Sequence, residues 1–112
     1  MAELTSRERL PPDELLREQV AGVRDLMGGA WQAAPGFVRR LEAAGLAPGD
    51  LRTAADLPLF PILRKSDLPK LQAADPPFGG LLAVPVERLK RLFASPGTIY
   101  EPGGEGSGYY RW

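Results

Sequence analysis

Apolar residues recur at spacings of three and four from Leu16 through Val20, Val23, Met27 and Ala30 to Ala34, which predicts an amphipathic helix opened by Pro11-Pro12-Asp13. Gly28-Gly29 interrupts that stripe. At about 1 kcal/mol per Gly relative to Ala, the pair predicts fraying or a bend ahead of Trp31. Pro35 ends this element or begins the next. A shorter helix is expected over Phe37-Val38-Arg39-Arg40-Leu41-Glu42-Ala43-Ala44, with Pro35 near its first turn and Gly45 as a left-handed C-terminal cap. Phe37 and Leu41 lie one turn apart on it.

Beyond Gly45 the pattern breaks into short pieces. Thr53-Ala54-Ala55-Asp56 matches a helix-capping signature, but Pro58 limits that helix to about one turn and Pro61 blocks a regular continuation. Ser66 is expected to cap a further helix running through Leu71, since Pro69 is tolerated in a first turn. Pro76-Pro77-Phe78-Gly79-Gly80 reads as a turn or loop, and Leu81-Leu82-Ala83-Val84 is too short for its periodicity to decide its state. Val86, Leu89 and Phe93 fit a helix, whereas Lys90 to Ser95 fits a strand; the pattern leaves both open. Trp31, Phe37 and Phe60 are assigned to packing. Gly108-Tyr109-Tyr110-Arg111-Trp112 reads as the start of an element without a cap, so the chain is expected to be part of a longer one.

Composition narrows the function. The 112 residues include 13 Gly and 12 Pro, which predicts order with many breaks, short of low-complexity disorder. Fourteen basic residues balance fourteen acidic ones and are interspersed with them, so nucleic acid and anionic lipid are not expected partners. There is no Cys and no His, which excludes disulfides and thiol chemistry and removes the commonest general base and metal ligand. No apolar run suits a signal peptide or a membrane span; a cytoplasmic protein is expected.

One stretch carries candidate chemistry. Ala94-Ser95-Pro96-Gly97-Thr98-Ile99-Tyr100-Glu101-Pro102-Gly103-Gly104 combines small residues and hydroxyls in the manner of a loop whose backbone N–H groups converge on phosphate. It lacks the usual Lys. Taken alone, such a motif is more often an ordinary strand-to-turn connection. Lys65, Arg88, Lys90 and Arg91 read as solvated charges, the last three partly balanced by Glu87.

The order of these signals resembles the N-terminal part of the phenylacetate–coenzyme A ligase family of adenylate-forming enzymes. The likeness runs from about Leu15 to Pro102 and rests on colinear pieces. These are Pro35-Gly36-Phe37-Val38-Arg39-Arg40-Leu41 with Gly45-Leu46, then Asp56-Leu57-Pro58 through Lys65-Ser66-Asp67-Leu68, then Pro77-Phe78-Gly79-Gly80-Leu81-Leu82-Ala83 with Pro85, then the loop. The family's loop reads approximately Ser-Ser-Gly-Thr-Thr-Gly-Lys-Pro. Matching it puts Ser95, Gly97 and Thr98 forward as cofactor-binding residues and aligns Pro102, while Pro96, Ile99, Tyr100 and Glu101 depart from it.

The resemblance implies a mainly α chain with a short β component. A helical portion, about residues 13–75, leads into the first strand and phosphate loop of an α/β adenylate-forming domain, about residues 81–104, with an incomplete element at 108–112. For the full-length parent it implies ATP, magnesium and coenzyme A as cofactors and a carboxylic, possibly aryl, acid as substrate, activated to an acyl-adenylate and passed to a thioester. No catalytic or metal-ligating residue is expected in this chain, which is expected to be inactive alone. The alternative is a small noncatalytic helical module that uses its apolar stripe for self-association or for packing against further chain.

Overall fold

The computed structural model describes residues 5–96 and 99–103. Helix α1 spans Pro12–Ala33, with Pro in its first turn and Asp13 and Glu14 placed where carboxylates favour the positive end of the helix dipole. It runs unbroken through Gly28-Gly29, held on one face by Met27 and Trp31, which pack against the core. Ala34 then leaves helical geometry (φ −117°, ψ 96°), as the residue before a proline must when the ring of Pro35 crowds it. Its N–H still donates to Ala30 O at 2.8 Å, closing α1 as α2 (Pro35–Ala43) begins.

Helix α2 ends as its glycine predicts. Gly45 takes φ 69°, its N–H donates to Glu42 O at 2.9 Å, and Leu46 N–H donates to Leu41 O at 2.9 Å. This paired arrangement satisfies the last carbonyls and brings Leu46 back onto the core. That core consists of Val20 from α1, Leu41 from α2, Leu51 and Phe60, with Met27, Trp31, Phe37, Leu46 and Ala54 packed around it. Of the three aromatic residues assigned to packing, Phe60 is in it and Trp31 and Phe37 pack against it. Leu16 and Val23 of the predicted stripe are 47% and 39% exposed, so α1 buries only part of its apolar face.

Between α2 and α3 (Leu68–Ala74) the chain forms 3₁₀ turns at Pro48–Asp50, Ala54–Leu59 and Lys65–Asp67. In two of them a carboxylate reaches back over its own turn: Asp50 Oδ2 accepts Ala47 N–H at 2.8 Å, and Asp56 Oδ2 accepts Thr53 N–H at 2.8 Å and Arg52 N–H at 2.9 Å. Only this acidic half of the capping signature is made at Thr53, whose hydroxyl contacts the same Asp56 oxygen at 3.4 Å. Pro58 lies within the six-residue Ala54–Leu59 turn. Ser66 does not act as a cap. The extended residue that precedes the turn is Arg64, so the chain is already helical at Ser66, which sits exposed inside Lys65–Asp67.

The open choice for Lys90 to Ser95 resolves as strand. Strand β1 (Arg91–Ala94) pairs antiparallel with β2 (Tyr100–Gly103), placing Leu92 opposite Pro102 and Phe93 opposite Glu101. The preceding Val86–Arg88 is a 3₁₀ turn. The element expected at 108–112 lies outside the described residues.

One close contact ties the helices to the segment leading into the hairpin. Gly36 N–H, at the start of α2, donates to Gly80 O at 2.7 Å, and Gly79 and Gly80 have φ of 66° and 73°. A Cβ on Gly36 would collide with Gly79 O and lie 2.8 and 2.9 Å from the carbonyl carbon and oxygen of Gly80, all backbone atoms. Gly29, by contrast, has nothing within 4 Å of where a Cβ would stand. Gly36→Ala is therefore expected to destabilise the chain by about 1–3 kcal/mol as an overpacked site does, while Gly29→Ala stabilises it by about 1 kcal/mol through helix propensity. Urea unfolding of the two variants checks the opposite signs.

The hydrogen bonds from Thr53 and Arg52 hold the Asp56 carboxyl below its ordinary range. A carboxyl lowered on folding contributes stability above its unfolded titration point, and that contribution disappears as pH falls through the folded one. The difference in urea midpoint between wild type and Asp56→Asn should accordingly be largest near neutrality and shrink on acidification.

Candidate functional site

The candidate loop joins β1 to β2, and its described residues are held from within and from below. Ser95 is half-buried; its N–H donates to Ile99 O at 2.8 Å and its Oγ accepts Ile99 N–H at 3.3 Å. Ile99 is buried, 4% exposed. The next N–H, that of Tyr100, donates to Gln72 Oε1 at 2.9 Å, and Gln72 Nε2 donates to Tyr100 O at 2.9 Å. Gln72 projects from α3 and is itself 4% exposed. A side-chain amide thus completes both backbone valences of one strand residue, as another strand would.

Gly97 and Thr98, the other two candidates, lie outside the described residues. Pro96 carries no N–H. The backbone donors of Ser95, Ile99 and Tyr100 are all engaged inside the protein. The Ser95 hydroxyl keeps one proton to donate. Glu101, half-buried in β2 opposite Phe93, brings negative charge to the strand that follows. The described residues of the loop thus offer phosphate one hydroxyl donor and no cation, with a carboxylate close by. The described residues also contain no group of three acidic side chains able to hold a metal ion, so no binding role for magnesium is derived from them.

Sequence reasoning missed Gln72. A signal existed: Leu68 and Leu71 mark the apolar side of α3, and Gln72 stands one turn from Leu68 on that side, where a polar residue needs a partner. Lys65, Arg88, Lys90 and Arg91 are exposed, in keeping with solvated charges. Arg39 pairs with Asp75 at 3.1 Å beside Gly80, but both side chains are more than half exposed, so the pair adds little stability.

With this geometry in hand, comparison with solved structures defines the class. Residues covering 89% of this chain superpose on 21% of a 2-hydroxyisobutyryl-CoA ligase crystallised in the postadenylation state in complex with R3-HIB-AMP, with a TM-score of 0.80 and 29% identity. An open conformation of the same enzyme, in complex with 2-HIB-AMP and CoA, gives a TM-score of 0.79 at 26% identity over 95% of this chain and 25% of that one. The chain is thus a ligase-like segment of the adenylate-forming class.

Sequence comparison points to one branch of that class, the phenylacetate–coenzyme A ligases. The chain is 35% identical over 95 residues to phenylacetate-coenzyme A ligase of Aromatoleum evansii and 36% identical over 95 residues to that of Thermus thermophilus, covering 85% of this chain and 20% of each relative. The Escherichia coli enzyme is 34% identical over 90 residues, 80% of this chain and 20% of its own length. No family model matches the chain. It spans about a fifth of the length of the curated relatives it matches.

Replacing Gln72 by Leu keeps the volume similar but leaves the Tyr100 N–H and C=O without partners, at about 1–3 kcal/mol for each buried group. Hydrogen exchange at Tyr100 is expected to accelerate in Gln72→Leu well beyond that at the α2 amides. Equal acceleration throughout would assign Gln72 a global role instead.

Proposed function

We propose that this chain is the N-terminal segment of an ATP-dependent acid–coenzyme A ligase resembling the phenylacetate–coenzyme A ligases. In the parent, a carboxylate, that of an aryl acid included, attacks the α-phosphorus of ATP and displaces pyrophosphate; the coenzyme A thiol then takes the acyl group from the resulting adenylate and AMP leaves. ATP, magnesium and coenzyme A belong to that parent, in the cytoplasm. The observation that carries the reading is the agreement of two likenesses, each over more than four-fifths of the chain, one in sequence and one in backbone. No helix among the described residues is long and apolar enough to cross a membrane.

The role proposed for the segment is architectural. Its α1–α2 unit and the Gln72 bracket hold the β1–β2 hairpin, and Ser95, Gly97 and Thr98 stay the residues proposed to face phosphate in the parent. The engaged N–H groups and Glu101 support a weakened contribution from this loop. Exposed Leu57, Leu59, Ile62, Leu92 and Phe93 are suited to packing against further structure of such a ligase. The same exposure suits the alternative reading, a noncatalytic module that buries these residues against itself or a partner.

The test is a chimaera in which this chain replaces the matching fifth of the Thermus thermophilus relative. The 112-residue chain alone is expected to give no acid-dependent exchange of pyrophosphate into ATP, and the chimaera to give measurable exchange with weakened ATP affinity. Glu101→Lys in the chimaera should tighten ATP binding by about tenfold or more, since it exchanges repulsion for attraction near a polyphosphate. Exchange by the chain alone, or a chimaera that folds but never exchanges, would overturn the reading.

A further inference from the structure

A cleft that shares no lining residue with the β1–β2 loop has the chemistry of an anion site. It measures about 390 Å³ and lies between α1 and the Ala54–Leu59 turn, lined by Asp13, Leu16, Arg17, Val20, Arg24, Arg52, Thr53 and Ala54. Its floor is apolar, from Leu16, Val20 and Ala54. Its rim carries three guanidinium groups against one carboxylate. Arg17 and Arg24 stand two turns apart on one face of α1, and Arg52 comes from the facing segment.

None of these arginines makes an ion pair with a described carboxylate. The ion pairs among the described residues are Arg7–Glu18 and Arg39–Asp75, so no described carboxylate lies within 4.0 Å of Arg17, Arg24 or Arg52. Asp56 feels the charge of Arg52, but its carboxylate is taken up by backbone N–H groups. Arg24 Nε is buried and has no hydrogen-bond partner. A buried donor without an acceptor costs free energy that a bound anion would recover.

We propose that this cleft binds a small phosphate monoester with an apolar body. The lining residues carry a net charge of +2, matching a phosphate monoester dianion near neutrality. Three guanidinium groups offer more donors than the two oxygens of a carboxylate can accept, whereas three terminal phosphate oxygens suit them. The apolar floor selects for an organic substituent over the bare ion, and the volume lies in the range of small-molecule sites. The site is separate from the β1–β2 loop and does not rest on the ligase reading.

The test titrates the 112-residue chain with phenyl phosphate, inorganic phosphate and benzoate, following the arginine Nε–H resonances and the binding isotherm. Phenyl phosphate should saturate, shift the Arg24 Nε–H signal, and bind more tightly than either other probe. Arg24→Gln and Arg52→Gln should each weaken it by about tenfold or more, as loss of a charge-assisted hydrogen bond does. Arg88→Gln, outside the cleft, should leave it unchanged. Arg52 is exposed and its hydrogen bond to Asp56 is made by its backbone N–H, which Arg52→Gln retains, so that variant keeps the test valid if Arg24→Gln perturbs packing. No saturation by about 10 mM, equal affinity in the Arg52 variant, or tighter binding of benzoate would overturn the proposal.

Discussion

The described structure turns on one backbone contact, Gly36 N–H to Gly80 O at 2.7 Å, made where neither residue has a side chain to keep the strands of backbone apart. It draws the start of α2 against the loop after α3. With Gly79 and Gly80 at positive φ, the chain doubles back over Leu71 and buries Phe78, 2% exposed. That reversal delivers the chain toward β1, and Gln72 from α3 then fixes β2. Two glycine-dependent approaches and one amide bracket thus position the hairpin.

This economy bears on function. Loops that receive phosphate keep their N–H groups uncommitted, so that the ligand completes them. Here the described N–H groups around Ser95 are completed by the protein itself. Glu101 deepens the contrast. Among the described residues the buried side-chain donor without a partner lies elsewhere, at Arg24, in a cleft with two further arginines.

The helical half was the most legible part of the sequence because its signals were local. Pro12 and Pro35 set helix starts, Gly45 set an end, and Val20, Met27, Trp31, Phe37 and Leu41 reached the core their spacing predicted. Gly28-Gly29 misled, since packing at Met27 and Trp31 outweighs a propensity deficit of about 1 kcal/mol per residue. Ser66 misled for a different reason: capping depends on where the extended residue falls, and that was Arg64. Strand β2 was invisible because Tyr100-Glu101-Pro102-Gly103 has little β propensity; partners distant in sequence, Gln72 and β1, impose it. At the candidate site, residue types could suggest phosphate, but only the hydrogen-bond partners disclosed that the N–H groups of Ser95, Ile99 and Tyr100 are engaged within the protein.

The bond between Gly36 and Gly80 spans 44 residues of chain, the difference of their numbers, whereas the Gly45 cap and the carboxylate-closed turns form within three to five. Closing a longer loop costs more conformational entropy before any contact rewards it. The arginine cleft depends on a closure of similar kind, since it brings Arg17 and Arg24 of α1 against Arg52 from the far side of α2. The caps and carboxylate-closed turns can therefore form first, while the cleft and the Gly36–Gly80 contact both await the folding-back of distant chain, so that neither exists in a chain whose helices have formed but not yet met.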